Sequence, residues 1–198
     1  MNLVIFGSSG HAKVIAESIV LCNEFNLLGF IDCKGGKKKI YNNYCVIGKD
    51  KDIIKIAEKY SSLQAAIGIG DINKREELSH KFKFIKFPSI VHPKTFLSKN
   101  IKMDDGCFIA SSVTISNNVH IGRFVTINTA AIVDHDSKIS DFTFISPGVK
   151  IAGNVTIGKR VFIGLGSNIG PNIKIGNDSI IGSGKTVLKD LAVKSRVV

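Results

Sequence analysis

From Val91 to Val187 an aliphatic side chain returns at every sixth residue without a break, through Leu97, Met103, Ile109 and Ile115 to Ile175 and Ile181. Neither a helix nor an ordinary strand repeats every six residues. A hexapeptide period marks a parallel β-helix, in which three short strands close one triangular coil. Branched side chains suit the pleated walls of such a coil and are expected to be the only kind tolerated inside it. Gly, Asn, Asp and Ser between the repeats are expected at the corners, where the chain bends or takes φ > 0. Late in the run glycine follows the aliphatic residue, at Gly158, Gly164, Gly170, Gly176 and Gly182. Seventeen repeat positions give between five and six coils.

The residues before the repeat follow a different rule. Asn2–Phe6 reads as a buried strand, Gly7-Ser8-Ser9-Gly10 as a turn, and His11–Val20 as a helix. LLGFID (27–32) and LQAAIGIG (63–70) read as strands, KDKDIIKIAEKY (49–60) and INKREELSHKF (72–82) as helices, and FKFIKF (82–87) as a last short strand. Alternating strands and helices imply a Rossmann-like parallel sheet, with ligands at the carboxyl ends of its strands. The expected organisation is an α/β domain over 1–88, a β-helix over 89–190 and a short tail over 191–198. The turn lacks the G-x-G-x-x-G spacing of a dinucleotide site, yet Ser9 and Gly10 can present N–H groups at a helix N-terminus.

Composition narrows the partners. The net charge of +11 is shared, with 14 basic and 9 acidic residues up to residue 88 and 13 and 7 after it. Apart from KGGKKK (34–39) there is no dense basic run, and aromatic residues do not interleave with one, so nucleic-acid binding is not expected. Phosphorylated small molecules fit the charge, as does a plain solvated lysine surface. No apolar stretch reaches membrane-spanning length and no leader is visible at the N-terminus. Cys22, Cys33, Cys45 and Cys107 have no metal or disulfide spacing, which fits a reduced, cytoplasmic setting.

One motif interrupts the repeat. Asp134-His135-Asp136 lies just after the inward position Val133, which takes His135 out of the coil interior. Imidazole can accept a proton at neutral pH, and an adjacent carboxylate raises its basicity. A solvated corner histidine between two corner aspartates is the plain alternative, and the residues alone leave both open. His120 and His135 are fifteen apart and so do not stack in one column, which argues against a three-histidine zinc site; no metal is expected.

The run from Ile127 to Ile169, with VDHD followed by PGVKIAGNV, resembles the hexapeptide-repeat acyltransferases, and more narrowly the bacterial sugar acetyltransferases of bacillosamine and sialic-acid pathways. That resemblance implies a left-handed β-helix and a homotrimer with coenzyme grooves between subunits. It implies that His135 is a general base tuned by Asp136, that acetyl-coenzyme A is the co-substrate, and that no acyl-enzyme forms. The backbone N–H of Gly153, one coil beyond His135, would face the oxyanion, with Asn128, Leu165 and Ser183 along the coenzyme. Ser9, Gly10, His11, Asp32 and Gly70 would hold a nucleotide sugar. The family pattern differs at Cys33, where a second acidic residue is usual, and at Phe144, where several relatives carry a histidine. Its G-x-P-A-[KR] ending would begin just after Lys194–Val198.

The expected function is N-acetylation of a UDP- or GDP-linked 4-amino-deoxysugar for surface glycan synthesis. Two alternatives stand beside it. One is an O-acetyltransferase of sialic or related nonulosonic acids, which shares the motif; the other is a non-catalytic β-helix scaffold or sugar-binding module.

Overall fold

The computed structural model describes residues 1–36 and 38–198, so part of the 34–39 lysine run lies outside the described residues. The chain forms two compact units, Met1–Pro93 and Lys94–Val198.

The first unit is built on a five-stranded sheet. Its strands are β1 (Asn2–Phe6), β2 (Asn26–Ile31), β3 (Lys39–Tyr41), β4 (Tyr44–Gly48) and β5 (Gln64–Ile67), ordered β3-β4-β2-β1-β5. The β4-β2-β1-β5 core is parallel, and only β3 pairs antiparallel to β4. Successive strands run outward from β1 on one side, and β5 then adds on the other. The point where the order reverses lies beside β1, and open α/β sheets bind ligands there. Helix α1 (Gly10–Cys22) joins β1 to β2 and α2 (Ile53–Lys59) lies between β4 and β5, while α3 (Ile72–Lys81) follows β5.

Local sequence accounts for most of this. Leu3, Val4, Ile5 and Phe6 are all buried, as a strand covered on both faces requires. Asp71 caps α3 by accepting the Lys74 N–H at 2.9 Å. Gly68 lets the end of β5 approach α1, for a Cβ there would lie 2.7 Å from the Ala12 Cα.

One expectation fails here, and one pair of strands is added to those expected. FKFIKF is not a strand: Phe82 ends α3, and its ring stacks on Phe6 at 4.8 Å while Phe87 packs 6.4 Å from the same ring. Burying aromatic surface on the core overrides the alternating pattern, and only Lys86 bridges to the sheet, at Gln64. The β3–β4 hairpin, turned at Asn42 with φ 46°, is an addition to the expected elements.

The second unit is a parallel β-helix of two-residue strands. One face runs from Phe96–Leu97 to Thr186–Val187, a second from Lys102–Met103 to Lys174–Ile175, and a third continues from Phe108–Ile109 to Arg196–Val197. Each strand pairs in register with the strand eighteen residues later, as Ile115 with Val133 and Val133 with Ile151. Every repeat position from Ile109 to Val187 is buried, and each such side chain contributes about 1.5–3 kcal/mol over leaving it in water.

The interior is not purely aliphatic. A second inward position falls two residues before each repeat residue, and there Ser137, Thr143, Ser167 and Ser179 are buried among valines. They are tolerated because each hydroxyl is satisfied by the neighbouring coil. Ser137 donates to the Ala152 carbonyl at 3.2 Å and accepts the Val155 N–H at 3.1 Å, and Thr143 donates to the Gly158 carbonyl at 2.8 Å. The corners repeat every six residues with φ near +60°, and glycine is not obligatory there: Asn118, Phe124, Asp136, Phe142 and Asn154 all adopt it.

Candidate active site

The β-helix sets its functional groups by corner. The corner after the Val133 strand stacks Asn117-Asn118, His135-Asp136 and Gly153-Asn154 at intervals of one coil. His135 and Asp136 are both exposed, with 58% and 50% of their side chains open to solvent. The His135 Nδ1 lies 2.8 Å from Asp136 Oδ2, so the carboxylate accepts the Nδ1 proton. Asp136 Oδ1 accepts a hydrogen bond from Asn118 Nδ2 at 2.6 Å. Asp134 takes no part in that chain; its Oδ1 accepts the His135 backbone N–H at 2.8 Å.

Electrostatics follow from this wiring. The hydrogen bond to Asp136, and then the charge of Asp134, raise the His135 pKa above its ordinary 6.5. Asp136 is held below the usual carboxylate value by Asn118 first and His135 second. Nδ1 is thus engaged, and among the described residues Nε2 has no protein hydrogen bond. It is left facing solvent as the proton-accepting nitrogen.

Gly153 lies against the ring. A Cβ on it would sit 2.6 Å from the imidazole Cε1 and 2.7 Å from Nε2, so no other residue fits without moving the ring. At the same place in other hexads a side chain caps the backbone N–H: Asp141 accepts from Arg123, and Asn177 from Lys159. Among the described residues no such cap covers the Gly153 N–H.

Asn128, Leu165 and Ser183 share another corner, one face removed. Leu165 and Ser183 are one coil apart, with Leu165 exposed and Ser183 open on the same side. Asn128 Oδ1 accepts the Thr129 N–H at 2.9 Å. The corner carries Gly148, Gly166 and Gly184, and a Cβ at Gly166 or Gly184 would meet nothing within 4 Å. This glycine column is bare of side chains and runs beside the exposed Leu165 and Ser183. Phe144 stacks on Phe162 at 5.8 Å on the adjoining face.

In the first unit, the carboxyl ends of β1, β2 and β5 form a small pocket lined by Gly7, Asp32, Cys33, Asp50, Ile69 and Lys74. Asp32 sits just past β2. Ser8 Oγ donates to its Oδ2 in a short hydrogen bond, and the Lys34 N–H donates to Oδ1 at 2.9 Å. Ser8, then the Lys34 backbone and the nearby lysines, hold the Asp32 carboxyl below its usual range against a desolvation that works the other way. Ser9 precedes the first residue of α1 with extended backbone, and Gly10 follows it, both exposed. Ser9 Oγ is 3.5 Å from the Gly68 carbonyl. Burial, followed by the buried Arg75 guanidinium, lowers the His11 pKa to about 4, so its ring is neutral at physiological pH. Gly70 is exposed, beyond the end of β5.

Sequence reading did not pick out Asn118, Ser8, Asp50 or Lys74. Asn118 could have been found by stepping back eighteen residues from Asp136. Lys74 is brought in by the fold: it lies in the first turn of α3, its Nζ 2.8 Å from Glu77. No group of His, Cys, Asp and Glu that could hold a metal ion occurs among the described residues.

A parallel β-helix with a carboxylate-tuned histidine at a corner, joined to a Rossmann-like unit, defines the hexapeptide-repeat acyltransferase class. Comparison with known proteins narrows it. Residues 2–82 match the family described as the PglD N-terminal domain. PerB from Caulobacter crescentus, in complex with CoA and GDP-perosamine, is 30% identical with a TM-score of 0.92 over 99% of this chain and 93% of that one. A histidine-to-asparagine variant of perosamine N-acetyltransferase from the same organism, also with CoA and GDP-perosamine, is 29% identical with a TM-score of 0.93, covering 99% and 92%. WeeI from Acinetobacter baumannii AYE, at 23% identity and a TM-score of 0.90 over 100% and 97%, shares the fold. No curated protein sequence matches the chain. The chain belongs to the PglD/NeuD-like family of left-handed β-helix sugar acetyltransferases. Among the described residues no helix is long and apolar enough to cross a membrane.

Proposed function

We propose that the protein transfers an acetyl group from acetyl-coenzyme A to the amino group of a nucleotide-linked 4-amino-deoxysugar, with GDP or UDP as the nucleotide. The observation that carries this reading is the wiring of His135: Nδ1 bound to Asp136 at 2.8 Å and Nε2 left open, in a chain 30% identical to a protein solved with CoA and GDP-perosamine.

The chemistry needs little else. The acceptor nitrogen attacks the thioester carbonyl while Nε2 takes a proton from it, forming the N–C bond and a tetrahedral oxyanion. Collapse breaks the C–S bond, and the proton held on Nε2 passes to the departing thiolate. Such a base typically supplies about 10²–10⁴-fold. The uncapped Gly153 N–H beside the ring is suited to the oxyanion, since a fixed backbone donor needs no reorganisation. No side-chain nucleophile is required.

The coenzyme is assigned to the bare strip beside Asn128, Leu165 and Ser183, where absent side chains allow close approach. That strip and His135 occupy different corners of one prism. A homotrimer in which one subunit's strip faces the next subunit's histidine unites them, and this is the assembly we assign. The sugar nucleotide is assigned to the β1-β2-β5 crevice: Asp32 as hydroxyl acceptor, Ser9 and Gly10 as N–H donors to phosphate at the start of α1, with His11 and Gly70 bordering them. The setting is cytoplasmic, where acetyl-coenzyme A and activated sugars are available together.

The test follows thiol release from acetyl-coenzyme A with GDP- and UDP-linked 4-amino sugars beside free and CMP-linked sialic acids. Turnover of a nucleotide amino sugar is expected. Turnover of sialic acids alone would replace this reading with O-acetylation, and coenzyme binding without turnover of any acceptor would favour a scaffold.

A further inference from the structure

At the histidine corner the left-handed positions of four successive coils hold Asn118, Asp136, Asn154 and Asn172, with φ between 58° and 61°. Stacked amides in parallel coils bond to one another along the ladder. Asn154 Nδ2 donates to Asn172 Oδ1 at 2.8 Å, one coil on. Asn118 Nδ2 donates in the same direction, to Asp136 Oδ1 at 2.6 Å. One rung of an amide ladder is thus an aspartate, and it is the rung beside His135.

The direction of that donation has a chemical consequence. Asn118 presents N–H, so the atom of residue 136 that faces it must be an acceptor. The other terminal atom of residue 136 then faces His135 Nδ1, at 2.8 Å. In aspartate that atom is Oδ2, which accepts Nδ1–H and leaves the Nε2 lone pair free. In asparagine, with Asn118 still presenting its N–H, that atom is an NH₂ donor, which pairs with a bare Nδ1 and places the ring proton on Nε2, where it blocks the base. Resting on the general-base reading above, we propose that Asn118 is a positioning residue: by occupying Oδ1 it directs Oδ2 of Asp136 at Nδ1, so that the carboxylate holds the ring proton there and Nε2 stays bare.

The proposal makes an uncommon prediction about rescue. Asp136→Asn alone inverts the tautomer, and kcat falls by about 10³–10⁴-fold, the scale seen when a carboxylate partner of a catalytic histidine becomes an amide. Adding Asn118→Asp turns the neighbour from donor to acceptor. The amide introduced at position 136 then flips, directing its NH₂ at the carboxylate introduced at position 118 and its oxygen at Nδ1, and the working tautomer returns. The pair Asn118→Asp with Asp136→Asn recovers at least about tenfold in kcat over Asp136→Asn, while KM for both substrates stays within about twofold.

The experiment combines kcat with ¹⁵N shifts of the His135 ring, measured above its titration in full-length wild type, Asp136→Asn and the double variant. The expected shifts show Nε2 bare in wild type, protonated in the single variant and bare again in the double variant. The ring signals do not depend on turnover, so wild type with the expected tautomer and no acetyl transfer would sink the function reading alone. A double variant that keeps the Asp136→Asn tautomer and rate overturns the role of Asn118, as would Asn118→Ala retaining wild-type kcat.

Discussion

Gly153 and His135, eighteen residues apart, are in contact through the place where a side chain would be: a Cβ on Gly153 would lie 2.7 Å from the imidazole Nε2. The glycine is required by the neighbouring imidazole and not by the backbone, since its φ is not among the left-handed values of the corners. Gly153→Ala is therefore expected to push the ring aside while the β-helix stays folded. A displacement of about 1 Å costs on the order of 10²-fold in rate. Steady-state kcat alongside thermal unfolding checks it, and the expected pattern is a large loss in kcat with little change in Tm.

The pH dependence has a definite sign. Asp136 and Asp134 raise the His135 pKa above 6.5, and only the deprotonated ring can accept a proton. The acidic limb of kcat/KM should accordingly lie above pH 6.5. Asp136→Ala removes the leading cause of the shift, so the limb should move to lower pH while the plateau falls. For folding the same shift favours the protonated state: its contribution is fully present below 6.5 and fades as pH rises through the folded value. Asp136, shifted down, acts oppositely, and its contribution is lost on acidification below 3.8.

Asp32 and Ser8 should govern acceptor affinity and leave the chemistry alone. Asp32 is anchored at both oxygens, by Ser8 and by the Lys34 N–H, which leaves each a further lone pair for a ligand hydroxyl. Asp32→Ala is expected to raise KM for the sugar nucleotide by about tenfold or more. The kcat and the KM for acetyl-coenzyme A should change by less than about twofold. An equal loss for both substrates would place Asp32 outside the sugar-nucleotide site.

Gly68 is a stability position. Its missing Cβ would meet Ala12 Cα at 2.7 Å and Ile5 Cγ2 at 2.9 Å, against the backbone of α1. Gly68→Ala should destabilise the first unit by about 1–3 kcal/mol, measured by denaturant unfolding, with hydrogen exchange in Lys94–Val198 unaffected.

The parts of this architecture that were legible in the sequence are those set by strict periodicity. Ile109 to Val187 announced their burial because one pleated coil is repeated without insertion, so the fold has no freedom to hide the pattern. Ser137 and Thr143 were not foreseen inside the prism because their acceptors, the Ala152 and Gly158 carbonyls, are fifteen residues away. The same distance problem concealed Asn118: reading outward from His135 finds Asp134 and Asp136, whereas the residue that orients Asp136 is a full coil earlier. In the first unit the aromatic residues Phe82 and Phe87 imitated a short strand, and only packing on Phe6 shows their role. Lys74 and Asp50 reach the crevice through tertiary folding, for which local pattern has no signal.

The measurement that bears most directly on this account is the rate of acetyl transfer from acetyl-coenzyme A to a GDP-linked 4-amino sugar by wild type and by His135→Ala. Loss of about 10²–10⁴-fold in kcat, with coenzyme binding retained, is the predicted result. An undiminished kcat in the variant would contradict the assignment of His135 as the base.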